Sequence, residues 1–128
     1  MPMQSSQMPH IDEYHAHIYF NGLDGRASAF ALRDQLVSEF GATPTTVREE
    51  PVGPHPTPQL LVTFPVPAFA SIVPFLMFCR GSLSILVHPE SGDPVADHGA
   101  HALWLGRALE LDFDFLRDFA ARDSSVTG

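Results

Sequence analysis

The chain is short of cations, thiols and uninterrupted apolar stretches. Seven Lys and Arg stand against fifteen Asp and Glu, a formal net charge of −8. Nucleic acid and anionic membrane both call for basic patches, so both are excluded as partners. A small neutral or amphoteric molecule is not. Cys79 is the single cysteine, so no intramolecular disulfide forms and a reducing cytoplasm suits the chain. It follows Phe75-Leu76-Met77-Phe78 and is expected to be a buried, structural thiol rather than a nucleophile. The longest apolar run, Val66 to Phe78, is interrupted by Pro67, Ser71 and Pro74 and is too short to span a bilayer. Met1 to Pro9 lacks the basic and apolar regions of a signal peptide. Neither Cys-x-x-Cys nor His-Glu-x-x-His occurs, which excludes a structural zinc knuckle and a zincin.

What is present is a globular composition. The 128 residues are 45 % hydrophobic and include ten Phe, twelve Pro and nine Gly. That predicts one loop-rich domain large enough to bury its own core. Residues 1–11 read as a loose arm, 12–122 as the domain and 123–128 as a frayed tail.

A first strand is expected over Glu13 to Phe20, stopped by Asn21-Gly22. A helix from about Ala27 to Phe40 carries Ala29, Leu32, Leu36 and Phe40 at helical spacing, with Gly41 as its stop. Thr45 to Val52 reads as a strand. In Gly53-Pro54-His55-Pro56-Thr57-Pro58 the prolines remove donors and fix φ, so a stiff connection presents His55. Gln59 to Phe64 is a third strand. Pro67 to about Arg80 is a second helix, in which Pro74 means either a kink or a late start capped by Ser71. Leu83 to His88 is a fourth strand, followed by a turn over residues 89–94. A short apolar stretch, Ala102 to Leu105, precedes a helix from about Asp112 to Arg122 expected to bury Phe115, Leu116 and Phe119. The order predicts an α+β, ferredoxin-like βαββαβ fold: an antiparallel four-stranded sheet, two helices on one face, and a C-terminal helix. Its second face would be open to solvent or to a second subunit, which favours a homodimer.

Seven histidines make the strongest chemical signal. In Tyr14-His15-Ala16-His17-Ile18-Tyr19-Phe20 strand alternation puts Tyr14, Ala16, Ile18 and Phe20 on one face. His15, His17 and Tyr19 take the other, where two imidazoles can converge on one metal; the alternative is a pair of half-exposed histidines. The fourth strand is hydrogen-bonded to the first in this topology and brings His88 close. His55 and His98 can join from loops. Imidazoles without thiolate suit Fe(II), Zn, Ni or Cu. Glu13, Glu90, Asp93 and Asp97 are the nearest carboxylates. His10 lies in the arm, and His101, beside Ala102-Leu103-Trp104-Leu105, is expected to be structural.

The segments Tyr14 to Phe20, Gly53-Pro54-His55-Pro56, Val87-His88-Pro89-Glu90-Ser91-Gly92-Asp93, Asp97-His98 and Trp104-Leu105-Gly106, in that order, resemble the DOPA 4,5-dioxygenase family over roughly residues 12 to 112. These are small extradiol ring-opening enzymes. The resemblance implies a non-haem Fe(II) enzyme that cleaves a catechol such as DOPA with O₂ as co-substrate; Zn or Ni can occupy such a site in a purified sample. Carried onto this chain, it implies His17, His55 and His88 as metal ligands, with His15 a substitute for any of them or a catalytic group. His98 would be the acid–base residue, with Asp97 setting its tautomer. Tyr19 and Arg80 would contact the ring or an acidic substituent. Two other classes remain: a non-catalytic dimeric module binding a metal or aromatic ligand, and a metal-free enzyme using His55 or His98 for proton transfer.

Overall fold

The computed structural model describes residues 2–127 and the side chains of residues 2–122. Strand β1 (Glu13–Tyr19) is followed by α1 (Gly22–Phe40), β2 (Thr43–Arg48), β3 (Gln59–Pro65), α2 (Phe69–Cys79) and β4 (Ile85–Pro89). Then come α3 (Pro94–His98), β5 (Leu103–Leu105) and α4 (Phe113–Thr127). The sheet runs β2-β3-β1-β4-β5 and is antiparallel throughout. The expected α+β core is therefore present, with β1 at the centre. Two elements extend it. Leu103–Leu105, read from sequence only as an apolar stretch, pairs with β4 as a fifth strand. Residues 94–98 form a short helix, started by Pro94 and capped by the Asp93 carboxylate accepting from the Ala96 amide at 3.1 Å, as suits a helix N-terminus.

Alternation along β1 sorts the core. Ala16, Ile18 and Phe20 join Leu60, Val62, Phe64, Ile85 and Val87 under α1 and α2. α1 contributes Ala29, Leu32 and Leu36, and ends at Gly41, whose left-handed φ of 69° lets its amide bond back to the Leu36 and Val37 carbonyls. α1 starts five residues before the expected Ala27, at Gly22, because Asn21 in an extended conformation turns the chain directly into the helix. Pro74 lies inside an unbroken α2. It sits on the exposed side, where the carbonyl that its missing N–H leaves free faces solvent; Ser71 does not cap a later start.

Three packing expectations are corrected. Cys79 is exposed rather than buried: it ends α2 after Met77 and Phe78, both exposed, one turn beyond the last inward residue, Leu76. In α4, Leu116 is buried, but Phe115 and Phe119 remain 36 % and 48 % exposed, stacked on each other at 6.5 Å. Among the described residues their helix turns Leu116 and, in part, Phe113 inward and leaves these two rings outward. The second sheet face is not open either. Tyr19, Leu86 and Leu111 pack there with Ala102, Trp104, Leu109 and Phe113. α4 runs as far as Thr127; the side chains of residues 123–128, where a frayed tail was expected, lie outside the described residues.

Two outcomes follow from this packing. Ile18→Ala, at a fully buried position, should lower unfolding free energy in urea titrations by about 2–5 kcal/mol. Native protein should consume one equivalent of a thiol-alkylating reagent at Cys79 without denaturant; resistance to alkylation would contradict the exposed position.

Candidate metal centre

β1 presents His15, His17 and Tyr19 on the second face, β4 presents His88 directly opposite His15 in register, and α3 delivers His98. His55 arrives on the proline-rich loop. That loop is fixed by a turn bond from the His55 amide to the Val52 carbonyl (3.2 Å) and by the Asp112 amide donating to the Pro54 carbonyl (2.9 Å). Gly53 has φ of 63°, and a Cβ there would meet the Phe115 ring at 3.4 Å, so glycine suits both the turn and the contact. His17, His55 and His88 are all buried. Ring centres lie 4.3 Å apart for His17–His55, 5.2 Å for His17–His88, 4.2 Å for His88–His98 and 5.2 Å for His15–His88.

Donor atoms within 4.8 Å of one another form two groups that share His17: His15, His17 and His88, and His17, His55 and His98. The expected trio of His17, His55 and His88 therefore takes members from both. His15, His17, His55, His88 and His98 are all brought together. Arg80 is not. Its guanidinium donates to the carbonyls of Gly81 and Leu83, both at 3.2 Å, at the end of α2. Tyr19 is on the site's face, but its hydroxyl lies 2.7 Å from His55 Nδ1. Asp97 does not orient His98. It accepts from the Ser91 amide (2.9 Å) and hydroxyl (2.6 Å) and from His101 Nδ1 (2.9 Å). Burial alone would raise the Asp97 carboxyl; these bonds outweigh it and hold the group below its usual value.

The outer nitrogens decide what the inner ones offer. His88 Nδ1 donates to the Pro89 carbonyl at 2.8 Å and His98 Nδ1 to the Pro94 carbonyl at 2.7 Å. His17 Nδ1 donates to Gln59 Oε1 at 2.9 Å. A carbonyl only accepts, so in each neutral ring Nε2 keeps a lone pair. Yet His17 Nε2 and His88 Nε2 approach to 3.2 Å. Two buried lone pairs at that separation repel unless a cation or a proton lies between them. Burial, then neighbouring imidazoles, holds His17 well below its ordinary value. The same causes take His88 down to about 3 and His55 to about 4. His98 is also lowered, by burial first. A proton is thus the poorer occupant at neutral pH, and neutral imidazoles are good ligands for borderline divalent metals. The donor set fits a metal ion.

Sequence reasoning missed Gln59, the buried partner of His17. A polar residue opening the otherwise apolar strand Gln59–Pro65 was the available signal. The partners of Asp97 had none, being set by the fold of residues 91–101.

Fold and donor set together define a small α+β protein with a buried, all-imidazole site suited to a metal. The model of the Dopa 4,5-dioxygenase family matches residues 14–115, and the chain belongs to that family. It is 36 % identical over 110 residues to a DOPA 4,5-dioxygenase from Amanita muscaria, covering 80 % of this chain and 48 % of that protein. It is 40 % identical over 77 residues to an uncharacterised 21.2 kDa protein from Botryotinia fuckeliana, covering 54 % of this chain and 42 % of that one. The chain thus spans less than half the length of these curated relatives. A crystallised candidate dioxygenase from Nostoc punctiforme superposes with a TM-score of 0.82 at 42 % identity, covering 85 % of this chain and 94 % of that one.

The lowered histidines carry a pH signature. The unfolded chain binds protons near the ordinary histidine value of about 6.5, whereas the folded His55 and His88 bind only near 4 and 3. Metal-free protein should therefore keep its full stability above about pH 6.5 and lose it progressively as pH falls towards 4. A melting temperature flat over that window would contradict the neutral, buried cluster.

Proposed function

We propose that this chain is an extradiol dioxygenase that opens a catechol ring beside the diol, as in 4,5-cleavage of DOPA, with O₂ at a histidine-held non-haem Fe(II). The facing Nε2 atoms of His17 and His88, 3.2 Å apart in a chain of this family, carry the reading. These two imidazoles are the fixed ligands, and the third comes from His15 or His55. When bound, Fe(II) would acidify the chelated diol and pass electron density from it to O₂.

The remaining work falls to side chains. His98, with Nδ1 committed to Pro94 and Nε2 free to accept, takes the second diol proton and can return it during ring opening. His15 stands between Glu13 at 3.7 Å and Glu90 at 3.6 Å and is more accessible than the buried His17, His55 and His88. It connects the cluster to solvent. Tyr19, Leu86 and Leu111 form the dry wall that excludes water from the reacting ring. Arg80 has no part in the reading, since it is engaged elsewhere.

No helix among the described residues is long and apolar enough to cross a membrane. An exposed unpaired Cys79 supports a reducing, cytoplasmic setting. Leu109, Leu111 and Phe113 pack on part of the face on which a homodimer was expected to close, so a homodimer would form over what they leave exposed.

The test is anaerobic Fe(II) reconstitution followed by a catechol panel, DOPA included, in air. Oxygen uptake should accompany a yellow semialdehyde product, and His17→Ala and His88→Ala should each lose the metal and both signals. Metal retained by both variants would sink the site; iron bound by the wild type without oxygen uptake on any catechol would sink the reaction.

A further inference from the structure

The outer partner of His55 differs in kind from those of its neighbours. His17, His88 and His98 each point Nδ1 at a carbonyl oxygen, which can only accept. His55 points Nδ1 at the hydroxyl of Tyr19, 2.7 Å away, and a hydroxyl can do either. What settles the direction is the phenol's own need. The Tyr19 side chain is buried, and a phenol keeps its O–H proton at neutral pH. A buried O–H requires an acceptor, and His55 Nδ1 is the partner it has. Its other neighbours, the rings of Trp104 at 5.8 Å and His17 at 6.4 Å, hold it without accepting from it.

We infer that Tyr19 is a positioning residue: by donating to Nδ1 it holds His55 as the Nε2–H tautomer, so His55 is a hydrogen-bond donor to substrate rather than a metal ligand. This rests on the dioxygenase reading and sharpens it. A neutral imidazole whose Nδ1 accepts and whose Nε2 carries hydrogen has no lone pair left for a metal. The three ligands are then His15, His17 and His88, which already form one donor group. The other group is completed by His55 and His98, which offer one N–H and one lone pair. A donor beside an acceptor complements a singly ionised catechol, whose oxide accepts and whose remaining hydroxyl donates. Tyr19 therefore contributes to substrate recognition without touching the substrate, and its ring is held for that task by the stack on Trp104.

Two measurements test this on the intact chain. Long-range ¹H–¹⁵N spectra of uniformly labelled, metal-free protein at pH 7.5 report which ring nitrogen carries hydrogen, with His55 assigned by its loss in His55→Gln. The expected result is Nε2–H for His55 and Nδ1–H for His17, His88 and His98; Tyr19→Phe should turn the His55 signal into a mixture of tautomers. Nδ1–H on wild-type His55 overturns the inference. In Co(II) titrations, His55→Gln should weaken binding by less than about tenfold, and His88→Gln by at least about a hundredfold. Equal losses would make His55 a ligand and overturn it as well. Both results are independent of turnover: a protein that binds Co(II) yet opens no catechol refutes the dioxygenase reading while the tautomer stands or falls by its spectrum.

Discussion

Alternation along one central strand is the constraint on which everything else depends. β1 has neighbours on both sides, β3 and β4, so its side chains leave only through the two faces. One face must be apolar to hold α1 and α2, and Ala16 and Ile18 are completely buried there. The residues between them are then committed to the opposite face, whatever their chemistry. A shift of one residue in register would drive His15 and His17 into the helix-side core and leave the apolar set outside. The stability of the core and the placement of the imidazoles are the same fact seen from two sides.

Burial on the second face is what makes the histidines chemically distinct. Four side chains that would each titrate near neutrality in water are packed beside one another, with Tyr19 between them and the apolar cluster of Trp104, Leu109 and Leu111. Desolvation and mutual repulsion strip their protons. In His17, His88 and His98 bonds from Nδ1 to carbonyls then fix which nitrogen faces inward. A cluster built this way is a poor place for a proton and a good one for a soft or borderline cation, before any question of substrate arises.

Much of this was legible from residue spacing. The parity of Tyr14 to Phe20, the βαββαβ order and the approach of His88 to β1 all follow from short-period patterns. The proline-rich segment announced a stiff loop carrying His55. What was not legible depended on contacts distant in the chain. A helical stripe placed Phe115 and Phe119 inward, but the packing of α4 put them on the outside; an apolar context buried Cys79 on paper, although it is exposed. The edge strand Leu103–Leu105 is only three residues long, below what a periodicity can declare. Asp97 beside His98 invited a pairing that the fold resolves in favour of His101 and Ser91, because helical residues one apart do not face each other.

The separation of His17 and His88 by 71 positions also orders events during synthesis. The two histidines of β1 leave the ribosome early, yet His88 belongs to β4, and the apolar residues packed on the same face include Leu109, Leu111 and Phe113. Loop closure over so long a span comes late in folding. A nascent chain therefore offers passing metal ions little more than scattered imidazoles, with no gathered lone pairs to compete for them. A gathered set of lone pairs is thus a property of the closed sheet and not of β1 alone.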